Sequence, residues 1–259
     1  MAPPASSPPF EYAYDDLPPP NPRAWATSAA LVGIGAGFIG VVFMIAAVAV
    51  WQVAAGPPPM ALMIAASMLG MQVPAAAAVL LVSRLRIPAA DWAEATSLQV
   101  PTLRDIAAGI LWGVLALAMG LVVGNIIDLI YTMRDMELQS QDAVQLMMDG
   151  DLATMITLIV GATILAPICE EIVFRLAIFE ALRRWLPAGL SVVITSLMFG
   201  VVHFTLALLV PLVLLGAILQ VSRMCHKSLV VPIIAHMIFN SATVIAIIAQ
   251  RYVGGTLGG

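Results

Sequence analysis

The stretch Cys169-Glu170-Glu171-Ile172-Val173-Phe174-Arg175 places two adjacent carboxylates and an arginine inside an otherwise apolar segment. Each such charge would cost roughly 2.5–3.5 kcal/mol at the centre of a membrane-spanning helix, so three together call for partners, water or a chemical task. Two later apolar segments carry Phe199-x-x-x-His203 and His236-x-x-x-Asn240, which with loop-side His226 account for every histidine in the chain. Residues four apart share a helix face, so Glu171 can pair with Arg175, and His236 stands one turn from Asn240. Glu170 is turned by about 100° from Glu171 and looks into a different space. Hydrolysis could use these groups in two pairs. Glu170 and His203 would hold and deprotonate a water, while His236 and Asn240 would donate hydrogen bonds to a developing oxyanion. Metal binding is a second division of labour, with Glu170, His203 and His236 as ligands to zinc or another divalent metal and one position open for water. Spacing alone does not choose between them. Taken singly, an intramembrane histidine or Asn240 reads as interhelical hydrogen bonding, Glu171 with Arg175 as a structural pair, and Phe199 as packing.

Long apolar elements must position these residues. The chain has 259 residues, 61% hydrophobic and 10% charged, with a mean hydropathy of +1.02, far from the composition of an ordinary soluble domain. The expected fold is all-α, a polytopic membrane bundle of about seven transmembrane helices. No charge occurs from 24 to 83, and Gly56-Pro57-Pro58-Pro59 divides that run into helices at about 26–54 and 60–83. Gly33, Gly37 and Gly40 give the first a small-residue face suited to close helix contact. A third helix follows at about 106–131, with Asn125 and Asp128 in its last turns, near the interface. Residues 132–151 carry five acidic groups, one arginine and interleaved methionines and leucines, which suggests a short amphipathic helix on the membrane surface. The charged motif lies on a fourth helix at about 152–182. The uncharged run 188–222, broken by Pro211, gives a fifth at about 188–208 and a sixth at about 210–224, and a seventh occupies about 229–250.

The first 23 residues hold eight of the eighteen prolines and read as a disordered cytoplasmic tail without the pattern of a secretory signal. Residues 24–104 then form an N-terminal helical pair with its loop, and 105–252 the domain carrying the motifs. Eight of the eleven basic residues (Arg23, Arg84, Arg86, Arg104, Arg183, Arg184, Arg223 and Lys227) fall on the side of the tail and loops 2–3, 4–5 and 6–7, against Arg134 and Arg251 opposite. The positive-inside rule therefore puts the N-terminus in the cytoplasm and the C-terminus outside. Cys169 and Cys225 show no ligand spacing and read as free apolar thiols. Nothing in the net charge of -4 points to nucleic acid; the bilayer and a membrane-anchored protein or peptide are the expected partners.

The order and spacing Glu170-Glu171-x-x-x-Arg175, Phe199-x-x-x-His203 and His236-x-x-x-Asn240 resemble the CAAX prenyl protease and bacteriocin-processing (Abi) family of intramembrane proteases, over about residues 105–250. The resemblance implies a helical inner-membrane endopeptidase. Glu170 and His203 would activate water, His236 and Asn240 would form the oxyanion site, and Glu171, Arg175 and Phe199 would support them. Family members have been described both as metalloproteases and as metal-independent glutamate proteases, so zinc stays open. The implied substrates range from CAAX-type proteins to bacterial peptides in maturation and C-terminal sorting tags. A non-catalytic immunity or scaffold protein could use the same polar pocket. Buried carboxylates and histidines also suit a proton-coupled transporter, although the sequence lacks the inverted repeat common in that class.

Overall fold

In a hydrocarbon core no water can satisfy an open backbone, so uncharged stretches of this length close their hydrogen bonds internally as helices. A computed structural model describes residues 23–136 and 142–257, and every regular element in them is helical. The expected tail, Arg23 aside, and residues 137–141 of the acidic segment lie outside the described residues. The elements in chain order are α1 (Ala24–Ala55), α2 (Met60–Arg86), the short α3 (Trp92–Thr96), α4 (Leu103–Met133) and α5 (Asp142–Asp149). There follow α6 (Leu152–Arg183), α7 (Ala188–Val201), α8 (Leu209–His226) and α9 (Val230–Leu257). Six of them, α1, α2, α4, α6, α8 and α9, are long and apolar enough to cross a membrane, consistent with a polytopic helical bundle. Large apolar side chains such as Phe38 (72% exposed) and Val53 (90%) point outward from α1, as lipid-facing positions do.

The expected fifth helix forms as α7 but stops after 14 residues, about 21 Å at 1.5 Å per residue, short of a core of about 30 Å. His203 accounts for the stop. Its ring Nδ1 bonds the Phe199 carbonyl at 2.7 Å, the acceptor its own backbone N–H would use in a continuing helix. That N–H turns instead to Gly200 at 3.3 Å, and Phe204 follows in the left-handed region at φ 52°. The chain then reverses into α8, so α7 and α8 form a hairpin.

Contacts between helix ends show which loops lie together. Arg23 and Arg223 both pair with Glu180, Leu229 N–H donates to Ser97 at 2.9 Å, and Trp92 donates to Ser83 at 3.0 Å. These contacts gather the start of α1, the end of α2, the loop before α4, the ends of α6 and α8, and the start of α9. At the opposite end Arg251 of α9 donates to the carbonyls of Met147 (2.6 Å) and Gly150 (3.0 Å). The sorting of loops expected from the basic residues is thus kept, whether or not the α7–α8 hairpin traverses the full core.

Small residues allow the close helix pairs. On α1, Gly33 faces Val79 and Ala75 while Gly40 lies on the Gly70 backbone of α2. Gly109 and Gly113 of α4 seat Ile234 and Ile238 of α9 in the same way. The main apolar core, including Ala29, Val79, Leu176, Phe199, Leu215, Leu219 and Ala235, draws on α1, α2, α6, α7, α8 and α9 and takes in Cys169, Ile172 and Phe174 of the charged motif.

Candidate active site on three helices

α6 is irregular around its two adjacent glutamates. Asp151 starts it by accepting the Thr154 N–H at 2.7 Å, and two wider π-helical turns interrupt it at Gly161–Leu165 and Ile172–Ile178. Pro167 and the two glutamates occupy the α-helical segment between these turns. A proline removes one backbone donor and crowds the preceding turn, and π turns of this kind recur at functional sites.

Glu171 and Arg175 pair as their spacing predicts, with Nε 2.8 Å from Oε2 and both side chains fully buried. Glu171 has a second partner: its Oε1 lies 3.1 Å from His236 Nδ1. Beside Arg175 the carboxylate is an acceptor, so Nδ1 carries the hydrogen and Nε2 is the ring's free nitrogen. That Nε2 lies 4.0 Å from Glu170 Oε2. One imidazole thus bonds one carboxylate and stands near the other, the two being turned in different directions by the helix. Glu170 is the more accessible, its side chain 17% exposed against none for Glu171.

The other predicted residues surround this centre at different distances. Phe199 is completely buried. Its ring lies 5.0 Å from His203 and 5.7 Å from His236, with Phe174 at 5.2 Å and the Arg175 guanidinium at 5.2 Å. It packs, as expected, and lies against both imidazoles. His203 makes no direct hydrogen bond to Glu170 among the described residues; its Nδ1–H is given to Phe199 O, which leaves Nε2 as an acceptor. Asn240 donates through Nδ2 to the Ala162 carbonyl at 2.8 Å, tying α9 to the first π turn of α6 and leaving one amide hydrogen uncommitted.

Gln72 was missed by the sequence reasoning. This α2 side chain donates to Glu170 Oε1 at 3.4 Å, and its own Oε1 is buried without a partner. The available signal was a lone carboxamide in an uncharged span, which by itself reads as interhelical bonding.

Among the described residues no three His, Cys, Asp or Glu side chains converge as a metal-binding group. Glu170, His203 and His236, the ligand set spacing allowed, are not such a group here, although each histidine gives Nδ1 to another acceptor and keeps Nε2, the nitrogen a metal would take. Both cysteines are free, Cys169 buried and Cys225 exposed.

Comparison with known proteins gives partial matches. Over 88 residues, 34% of the chain, the sequence is 35% identical to a Bacillus subtilis (strain 168) protein described as "Putative membrane peptidase YdiL", and the match spans 36% of that relative's length. No solved structure matches. A family model described as Type II CAAX prenyl endopeptidase Rce1-like matches residues 152–242, a narrower stretch than the expected 105–250. It runs from the start of α6 to Asn240 and just beyond, taking in Glu170, Glu171, Arg175, His203 and His236, so the similarity to the Rce1-like CAAX endopeptidases is one of this segment.

Proposed function

We propose that the protein is an intramembrane endopeptidase that hydrolyses a peptide bond of a membrane-associated protein or peptide. The carrying observation is the accessible carboxylate of Glu170 set beside His236, whose ring is oriented by the buried Glu171–Arg175 pair. Glu170 accepts a proton from water as the oxygen attacks the scissile carbonyl. His203, through Nε2, helps to hold that water. The resulting oxyanion is met by the uncommitted Nδ2 hydrogen of Asn240 and by His236. Because Nδ1–H of His236 is given to Glu171, Nε2 serves the oxyanion as a donor only when it too carries a hydrogen. Collapse breaks the C–N bond, and the proton held on Glu170 passes to the leaving amine. A base in this role contributes about 10²–10⁴-fold and one oxyanion donor about 10²–10³-fold.

The N-terminus is assigned to the cytoplasmic side of a bacterial inner membrane by the positive-inside rule, with the end bearing Arg23, Arg183 and Arg223 facing inward. Residues 24–104 form the helical pair that supports the domain 105–252, and they supply Gln72.

Terminal peptide sequencing of membrane proteomes tests this reading, comparing cells with wild type, Glu170→Ala and His203→Ala at equal levels of folded protein. New termini should be present with wild type and absent with both variants. Termini that persist in both sink the mechanism.

A further inference from the structure

Away from the proposed chemistry, the inward-assigned end holds an open cavity of about 600 Å³. Its charged lining comes from four segments of the bundle: Arg23, Glu94, Glu180, Arg183, Arg223 and Lys227. Four cations face two carboxylates, and one of those carboxylates is already shared. Glu180 takes Arg23 Nε at 2.9 Å and Arg223 Nη1 at 2.8 Å. The Arg223 side chain is only 6% exposed and Glu180 15%, so the pair lies in a medium where excess positive charge is poorly solvated. Arg183 gives one guanidinium hydrogen to the Leu186 carbonyl at 2.6 Å, and Lys227 makes no ion pair among the described residues. Among its described lining residues cations outnumber carboxylates four to two, and Arg183 and Lys227 are the cations without an ion pair there.

Its wall is not uniformly polar. Trp25 and Phe179 also line it, and both are buried, 8% and 4% exposed. They sit where the apolar stretches of α1 and α6 stop, the depth of the phosphate groups in a bilayer. Cations at this depth beside an apolar wall fit a molecule with an anionic head and an apolar body better than a free ion.

We propose that this cavity binds the phosphate of an anionic phospholipid, with Arg183 and Lys227 as the cations that reach it and Trp25 and Phe179 against its glycerol and upper chains. None of these residues belongs to the peptidase machinery, so the site stands or falls separately from it. The test uses the full chain in neutral detergent, titrated with dioleoylphosphatidylglycerol, dioleoylphosphatidylcholine or inorganic phosphate and followed by native mass spectrometry and thermal unfolding. Phosphatidylglycerol should be retained and raise the unfolding temperature saturably, while phosphatidylcholine and inorganic phosphate do neither. Arg183→Gln with Lys227→Asn should weaken apparent phosphatidylglycerol affinity by about tenfold or more, each surface cation being worth a several-fold factor. Asparagine suits the left-handed backbone of Lys227, at φ 50°. If the double variant does not fold, Lys227→Asn alone should show a loss of about threefold to fivefold. Equal stabilisation by both lipids, stabilisation by phosphate equal to that by phosphatidylglycerol, or variants that bind phosphatidylglycerol as wild type does would each overturn the proposal.

Discussion

Glu171 is the residue on which its neighbours depend. It neutralises Arg175 one turn away and orients His236 from a third helix, all within a fully buried environment. Removing one member of such a pair strands a charge, which costs about 3–5 kcal/mol. Arg175→Ala should therefore lower the unfolding free energy by that order, read by denaturant or thermal unfolding in detergent, whereas an unchanged midpoint would show that the pair is not structural. Gln72 acts on the neighbouring carboxylate and sits on α2, outside the family-matched residues 152–242. Gln72→Met keeps the volume and removes the hydrogen bond. It should leave the melting temperature nearly unchanged and slow formation of the Glu170-dependent termini by about tenfold, the scale of a lost contact to a charged group of roughly 1.5 kcal/mol. Equal cleavage rates in Gln72→Met and wild type would remove Gln72 from the site while leaving Glu170 in place.

At the scale of elements, irregularity and close approach do most of the positioning. The π turns on either side of Ala166–Glu171 set the direction in which the two glutamates leave α6, and the first is tied to α9 through Asn240. The end of α7 is set by the same His203 that the proposed reaction uses. On the far side of α6, the α1–α2 pair that supplies Gln72 depends on Gly40. A Cβ there would collide with the Gly70 carbonyl and stand 3.0 Å from Pro74 Cγ, whereas one at Gly35 would meet nothing within 4 Å. Gly40→Ala should destabilise by about 1–3 kcal/mol, as overpacking does, while Gly35→Ala should stay within about 0.5 kcal/mol. Unfolding of the two variants side by side measures the difference; equal midpoints would mean that α1 moves away from α2 without cost.

For the molecule as a whole, sidedness is the testable property. Arg23, Glu180 and Arg223 meet at one end, and Arg251 clamps α5 and the start of α6 at the other. With Cys225 replaced by Ser and Cys169 by Ala, Lys227→Cys should resist a membrane-impermeant maleimide applied to intact spheroplasts. Met133→Cys, at the opposite end of α4, should react. The reverse pattern would invert the orientation drawn from the basic residues, and labelling of both would break the shared-end arrangement.

Much of this was legible in the residues themselves. Charge-free runs fixed the long helices, because an open backbone is intolerable in hydrocarbon. The four-residue spacing paired Glu171 with Arg175, because 3.6 residues complete a turn. Other features depended on how remote segments pack. The expected fifth helix was drawn to 208 but ends at Val201, since a side-chain bond to Phe199 competes there with the backbone. His236 was read as an oxyanion donor or a metal ligand, with no partner named for its other nitrogen, yet its ring is held by Glu171, 65 residues away. Gln72 lies 98 positions from Glu170, and no periodicity within a helix reports across such a distance. Sequence by itself determined which residues share a helix face and where the chain stays out of water. Tertiary structure decided which faces meet, because helix rotation and approach are set by glycine contacts, π turns and the buried Phe199, each of which acts between segments.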